Sequence, residues 1–229
     1  MKTFSRTLLA GLIAGSTLPM AAHAADGLDY TYLEGAYTNL DIDGYDDGEG
    51  GIEDFNDGDG FAVRGSLALT EHLFTFGNYS ETDADASFRD SNNAEITSDQ
   101  DVKRFDLGLG LRTPLNTNST GQTDLVGRIA YTDVDYGDFD FGASGNPAVS
   151  DLDDDNSDGY FADAAVRTEL TDRLEGSAGV RYTDIERADN VSFIGNLLYS
   201  LTPDWGLNFE VDAGDEIGVY SLGVRYDFN

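Results

Sequence analysis

Gly218-Val-Tyr-Ser-Leu-Gly-Val-Arg-Tyr-Asp-Phe228 runs to the penultimate residue of the chain and decides how the rest is read. Successive side chains of a β-strand point to opposite faces. With that period, Tyr220, Leu222, Val224, Tyr226 and Phe228 share one face, and Val219, Ser221, Gly223, Arg225 and Asp227 share the other. The first face is apolar and aromatic, the second small or charged. In a soluble sandwich the apolar face would be core. In a membrane barrel it faces lipid, and the polar face lines the lumen.

Working back from that strand, nine further stretches repeat the pattern. They are Leu28–Leu40, Phe61–Leu69, Leu73–Ser80, Lys103–Thr113, Leu125–Thr132 with an extension toward Phe141, Tyr160–Leu170, Leu174–Ile185, Val191–Leu201 and Trp205–Val211. Leu174–Ile185 alternates cleanly, with Leu174, Gly176, Ala178, Val180 and Tyr182 opposite Glu175, Ser177, Gly179, Arg181 and Thr183. Leu73–Ser80 can face either way, because Phe74 and Phe76 compete with Leu73 and Tyr79. Ten strands are expected, with eight as the alternative count.

The connections sort by parity. The first, third and fifth (Asp41–Gly60, Glu81–Asp101, Gly142–Gly159) are long and rich in Asp, and Arg187–Asn190 and Gly214–Glu216 are shorter. The alternate ones (Glu71-His72, Pro114–Gln122, Asp172-Arg173, Pro203-Asp204) are shorter and less acidic. Long loops at one end and short turns at the other are the habit of an outer-membrane barrel with both termini in the periplasm. Leu-Thr-Glu-His-Leu-Phe (69–74), Leu-Thr-Asp-Arg-Leu-Glu (170–175) and Leu-Thr-Pro-Asp-Trp-Gly (201–206) read as versions of one turn. Trp205, Phe74 and Leu174 are then expected at the inner lipid boundary.

At the start of the chain, Lys2 and Arg6 precede the apolar run Leu8–Ala14, and Ala22-His23-Ala24 reads as a cleavage site. Residues 1–24 are therefore expected to be a secretory signal peptide, and 25–229 the barrel. No stretch is long and apolar enough for a membrane helix. With no cysteine, lipoprotein anchoring, disulfides and thiol chemistry are excluded. The net charge of −31 sets the chain against nucleic acid, whose phosphates it would repel. Positively charged partners and divalent cations are the complement. Twelve tyrosines and thirteen phenylalanines in alternating runs argue against disorder.

If the apolar faces look outward, the inward faces carry Arg64, Asp106, Arg112, Arg128, Asp163, Arg167, Glu169, Glu175, Arg181, Glu210, Asp212, Arg225 and Asp227, together with Glu34. A charge facing lipid at mid-depth costs roughly 2–4 kcal/mol, which a polar lumen avoids. The arginine fork matches carboxylates, so these residues are expected to form an ion-pair network filling the lumen. A charged constriction of a small pore is the competing reading.

No nucleophile elbow, zincin motif or P-loop is present. Beyond the expected signal, His72 is the sole histidine, in a short turn, so no enzyme activity, catalytic residue or cofactor is expected. Asp153–Gly159 resembles a calcium loop, but Asp158 and Ala164 stand where that loop needs Gly and Glu. The acidic loops therefore read as a solvated rim, with no metal site.

The terminal strand, with its penultimate aromatic, resembles the last strand of bacterial outer-membrane barrels. Tyr30-Thr-Tyr-Leu-Glu-Gly-Ala-Tyr37, an acidic Gly-rich stretch and Phe61-Ala-Val-Arg-Gly-Ser66 resemble the small porin-like barrel proteins of xanthomonads and relatives, one of which was once described as an activator of rice immunity. The resemblance implies an outer-membrane location, insertion by the barrel-assembly machinery with Tyr226 and Phe228 as the recognised end, and links to vesicles, motility or biofilm. The expectation is a single closed antiparallel up-and-down transmembrane β-barrel in the all-β class, monomeric, with a structural or small-porin role. Its partners would be outer-membrane lipid, lipopolysaccharide and divalent cations at the acidic loops. A surface adhesion role on the same barrel and a secreted soluble sandwich binding calcium or sugar are the alternatives.

Overall fold

The computed structural model describes residues 28–42, 54–55, 58–89, 95–115, 121–136, 155–186, 188–214 and 217–228. The expected signal peptide and much of the acidic connections lie outside them. The strands are β1 (Tyr32–Ile42), β2 (Asp54–Phe55), β3 (Gly58–Ala68), β4 (Leu73–Arg89), β5 (Glu95–Leu115), β6 (Thr123–Tyr136), β7 (Asp155–Thr171), β8 (Leu174–Ile185), β9 (Ala188–Ser200), β10 (Trp205–Ala213) and β11 (Ile217–Asp227).

Every long strand pairs antiparallel with its chain neighbour. β1 pairs with β11, bringing Leu33 opposite Tyr226 and Tyr37 opposite Leu222. The β4–β5 ladder completes the ring. The result is a closed ten-stranded barrel. The two-residue β2 adds to the far end of β4, pairing Asp54 with Ser87. A single sheet closed on itself has no second sheet to pack against, which overturns the soluble-sandwich alternative. Closure leaves the ten staves of the ring without a free edge along the paired wall.

The facing follows the sequence period. On β11, Leu222 is 61 % exposed and Ser221 3 %. Leu109, Val180 and Val224 are likewise outward. Arg112, Arg181 and Arg225 carry largely covered side chains on the inside. The short turns share one end with Leu28 and Phe228. The repeated Leu-Thr turn uses its threonine the same way three times. Thr70 Oγ1 accepts from the backbone N of His72 and Leu73, Thr171 Oγ1 from Arg173, and Thr202 Oγ1 from Trp205.

Several expectations are corrected. Glu81–Asp101 is not a loop throughout, because β4 runs on to Arg89 and β5 begins at Glu95. Cross-strand pairing carries these polar residues as a hairpin projecting beyond the apolar band. Asp41 and Ile42 belong to β1, Gly58–Gly60 to β3 and Asp155–Gly159 to β7, although all were expected in loops. Pro114 and Leu115 end β5, and Ala188–Asn190 begin β9. The extension of the fifth expected strand reaches Tyr136; residues 137–141 lie outside the described residues. At the other end, Leu28–Thr31 is not strand. It turns inward, for reasons that belong to the lumen.

Candidate functional site

The lumen is built from the inward residues of all ten staves. Its centre is Asp163 on β7. Asp163 Oδ1 accepts from Arg128 Nε at 2.9 Å, and Oδ2 accepts from Arg181 Nη2 at 3.0 Å. Arg181 Nη1 in turn donates to Asp212 Oδ2 at 2.5 Å. Charge is thus linked from β6 through β7 and β8 to β10. Opposite, Arg64 on β3 donates to Glu34 Oε1 at 2.8 Å and to Ser221 Oγ at 2.9 Å, and lies 3.5 Å from Glu210. Glu34 Oε2 takes a 2.7 Å bond from Asn208 Nδ2, and Asn208 Oδ1 one from Asn196. Asp106 accepts from Arg104 Nε, Asn78 and Thr132. Buried carboxylates tolerate a low-dielectric site when their oxygens are filled by such donors.

The arginines also cover aromatic faces. Arg181 and Arg104 lie over the Phe161 ring at 4.3 and 5.9 Å, and Arg128 over Phe76 at 5.5 Å. Arg225 sits 3.8 Å from the Tyr32 ring centroid and pairs with Asp227 at 2.6 Å. Desolvated guanidinium–ring contacts of this kind add to ion pairing.

Inside the barrel, Leu28, Tyr30, Phe74, Phe76, Val126, Ala130 and Phe161 form a buried apolar cluster that runs from the short-turn end up to Phe161 beneath the ion-pair layer's arginines. Phe74 therefore does not anchor at the lipid boundary as expected. Its ring and that of Phe76 fill space left by Gly110 and Gly108 on β5, their register partners. Tyr30 lies between two guanidinium groups, Arg112 and Arg167, each 4.7 Å from its ring centroid. Its hydroxyl donates to Asp124 Oδ2 at 3.0 Å, and its carbonyl accepts from Ser66 Oγ at 2.8 Å. Arg167 Nη1 and Arg225 Nη2 both donate to Asp29 O, at 2.6 and 3.1 Å, and Arg112 Nη1 donates to Leu28 O at 3.3 Å. Backbone that leaves the sheet for the interior must find donors, and these three arginines supply them.

All fourteen charged residues named from sequence lie on the inward parity. Most meet in the pairs above, and Arg167 pairs with Glu175. Glu169 is engaged by backbone, accepting from Gln122 N at 2.7 Å. Arg112 pairs with Asp124, which the sequence reading did not name. Also missed were Arg104, Asn78, Asn208 and the rings of Tyr30, Phe74, Phe76 and Phe161. Parity could have found some: Phe161 shares its face with Asp163 and Arg167, and Arg104 with Asp106. His72 is exposed in the turn after β3.

Residues 9–228 match the family described as outer membrane protein beta-barrel domain. The chain belongs to this family of outer-membrane β-barrels. Among curated proteins, no relative is found. Among solved structures, the translocator domain of the autotransporter NalP from Neisseria meningitidis is 14 % identical, with a TM-score of 0.52 over 97 % of this chain and 98 % of that one. An outer-membrane channel from Pseudomonas putida F1 is 14 % identical with a TM-score of 0.45, over 92 % and 100 % of the two chains. Ail, the attachment invasion locus protein of Yersinia pestis, is 12 % identical with a TM-score of 0.37, over 89 % and 100 %. At such identities the likeness is one of fold.

The outer wall of this outer-membrane barrel bears a tyrosine belt toward its long-connection end. Tyr79 donates to Glu81 at 2.9 Å, Tyr131 to Asp133 at 3.3 Å and Tyr160 to Asp184 at 3.0 Å, while Tyr37 bonds Asp59. Amphipathic rings capped by carboxylates mark an interface. Beyond it, Asp59 of β3 and Asp83 and Asp101 of the projecting hairpin stand in one cross-strand row. A hydrogen bond with Asp101, reinforced by some desolvation and by repulsion from Asp101, Glu81 and Asp59, raises the Asp83 pKa.

Proposed function

We propose that this protein is a structural outer-membrane barrel whose lumen is closed at rest, with its short turns in the periplasm and its acidic hairpins outside the cell. The observation that carries this reading is the chain of contacts Arg128–Asp163–Arg181–Asp212 together with the buried ring cluster around Tyr30. The first occupies the middle of the lumen with paired charge, and the second fills its short-turn end with apolar rings. Small barrels are commonly filled by side chains in this way. Reconstitution in planar bilayers tests the reading: heat-modifiable, folded protein should show no steady conductance, and continuous open-channel current would overturn it.

A surface-contact role for the same barrel is favoured by the projecting hairpin. β4 has 17 residues and β5 has 21, whereas about 9–11 suffice to cross the bilayer. The excess holds acidic residues at the level of the lipopolysaccharide headgroups, where divalent cations would bridge like charges. Insertion by the barrel-assembly machinery would use the end of β11. There Trp205, Tyr226 and Phe228 form an outward ladder of rings, each 4.9 Å from the next.

A further inference from the structure

We infer that Leu28–Tyr30 is a displaceable plug, and that withdrawing it converts the lumen into a conduit for small cations. The inference rests on the closed-barrel reading above. Two barriers lie in series along the lumen, and they differ in kind. The ion-pair layer is polar throughout and reaches water at Arg128 and Glu210, whose side chains are 28 and 36 % exposed, while Asp163 between the arginines is covered. The layer at the short-turn end is dry, with Leu28 at 2 % and the Asp124 side chain fully covered. Apolar constrictions stop ions by excluding water, while polar ones pass them. The seal is therefore the apolar layer, and its removable part is the segment that belongs to no strand.

The segment is held by groups that do not need it for their own satisfaction. Arg112, Arg167 and Arg225 keep Asp124, Glu175 and Asp227 as partners when Leu28 O and Asp29 O leave. Tyr30 inserts one ring between two of these arginines, a contact that reverses without breaking a ladder bond of the wall. Residues 28–30 precede β1, and Thr31 stays tied to Phe228 N through its carbonyl, so their withdrawal leaves the ten-strand closure intact. Both layers carry more carboxylates than arginines. Arg64, Arg104, Arg128 and Arg181 face Glu34, Asp106, Asp163, Glu210 and Asp212, and once the segment leaves, the three lower arginines face Asp124, Glu169, Glu175 and Asp227. A conduit so lined selects cations.

The test uses the full chain in planar bilayers under a potassium chloride gradient. Heat-modifiable migration on gels confirms the fold of each variant. Deletion of residues 28–30 should give discrete conductance steps with a cation-selective reversal potential where the parent is silent. Because that deletion could impair folding, a second variant carries Tyr30→Cys and Ser66→Cys, positions joined by the 2.8 Å bond from Ser66 Oγ to Tyr30 O, in a chain with no other cysteine. It should conduct when reduced and fall silent when oxidised. A folded deletion variant as silent as the parent overturns the plug and leaves the closed barrel standing. Equal conduction by the oxidised and reduced forms also overturns the plug. Steady current through the parent overturns the closed-barrel reading; if oxidation of the double variant abolishes that current, the plug survives it.

Discussion

Phe74 lies directly over Gly110. The two are register partners on β4 and β5, and a Cβ placed on Gly110 would fall 2.0 Å from the Phe74 ring. The glycine makes the hole and the ring fills it, so Gly110→Ala should force Phe74 out of its rotamer. Overpacking of this kind costs about 1–3 kcal/mol. Urea unfolding in micelles, followed by the fluorescence of the single tryptophan, Trp205, should show the shift. An unchanged midpoint would mean that Phe74 packs elsewhere.

Asp163 is the carboxylate whose loss should do most damage. Asp163→Ala leaves Arg128 and Arg181 facing each other across the lumen without their shared counter-charge. Breaking a buried pair in this way costs roughly 3–5 kcal/mol. The heat-modified gel transition should move to lower temperature, and Asp163→Asn should move it less because the amide oxygen still accepts one bond.

Leu109 is half exposed on the lipid face. Leu109→Arg should cost roughly 2–4 kcal/mol in bilayer-supported folding. Leu109→Ile should change little. Refolding into vesicles at graded urea separates the two, and equal effects would deny that this face meets acyl chains.

The projecting hairpin should respond to pH through Asp83. Its pKa is raised in the fold, so the stabilisation from the shared proton is present at acid pH. It is lost as pH rises through the folded value. Asp83→Asn should therefore slow hydrogen exchange of the β4 amides beyond Glu81 at neutral pH. The difference from the parent should shrink as pH falls below the carboxylate range. A difference that grows in acid would reverse the assigned sign.

At the end of β11, the Tyr226 and Phe228 rings meet edge-on. Phe228→Ala should lower the amount of heat-modifiable protein in the outer membrane while spontaneous refolding in detergent stays intact. Equal loss in both measurements would make Phe228 a packing residue rather than an assembly signal.

The period-two alternation of β8 and β11 was enough to set which side chains look outward. A one-residue slip would turn Leu222, Val224 and Val180 into the lumen and Arg225 and Arg181 into lipid, a cost no local contact recovers. The same logic put the lumen arginines and carboxylates on one face, and the parity of loop lengths ordered the ends. Composition marked Glu81–Asp101 as loop because hairpin pairing beyond the membrane leaves no hydrophobic signature. Phe74 and Phe76 were ambiguous because their facing depends on Gly108 and Gly110 of another strand. Leu28–Tyr30 read as strand because it runs directly into β1, although Leu28 and Tyr30 fall on the inward parity of Glu34 and Ala36. Only ring closure makes an interior for it to enter, with arginines from β5, β7 and β11 arriving together to hold its carbonyls. The sequence by itself determined what each strand must show to lipid and to water. The partner of each buried charge, and the entry of Leu28–Tyr30 into the lumen, were decided by tertiary structure, because they join residues whose separation along the chain carries no local pattern.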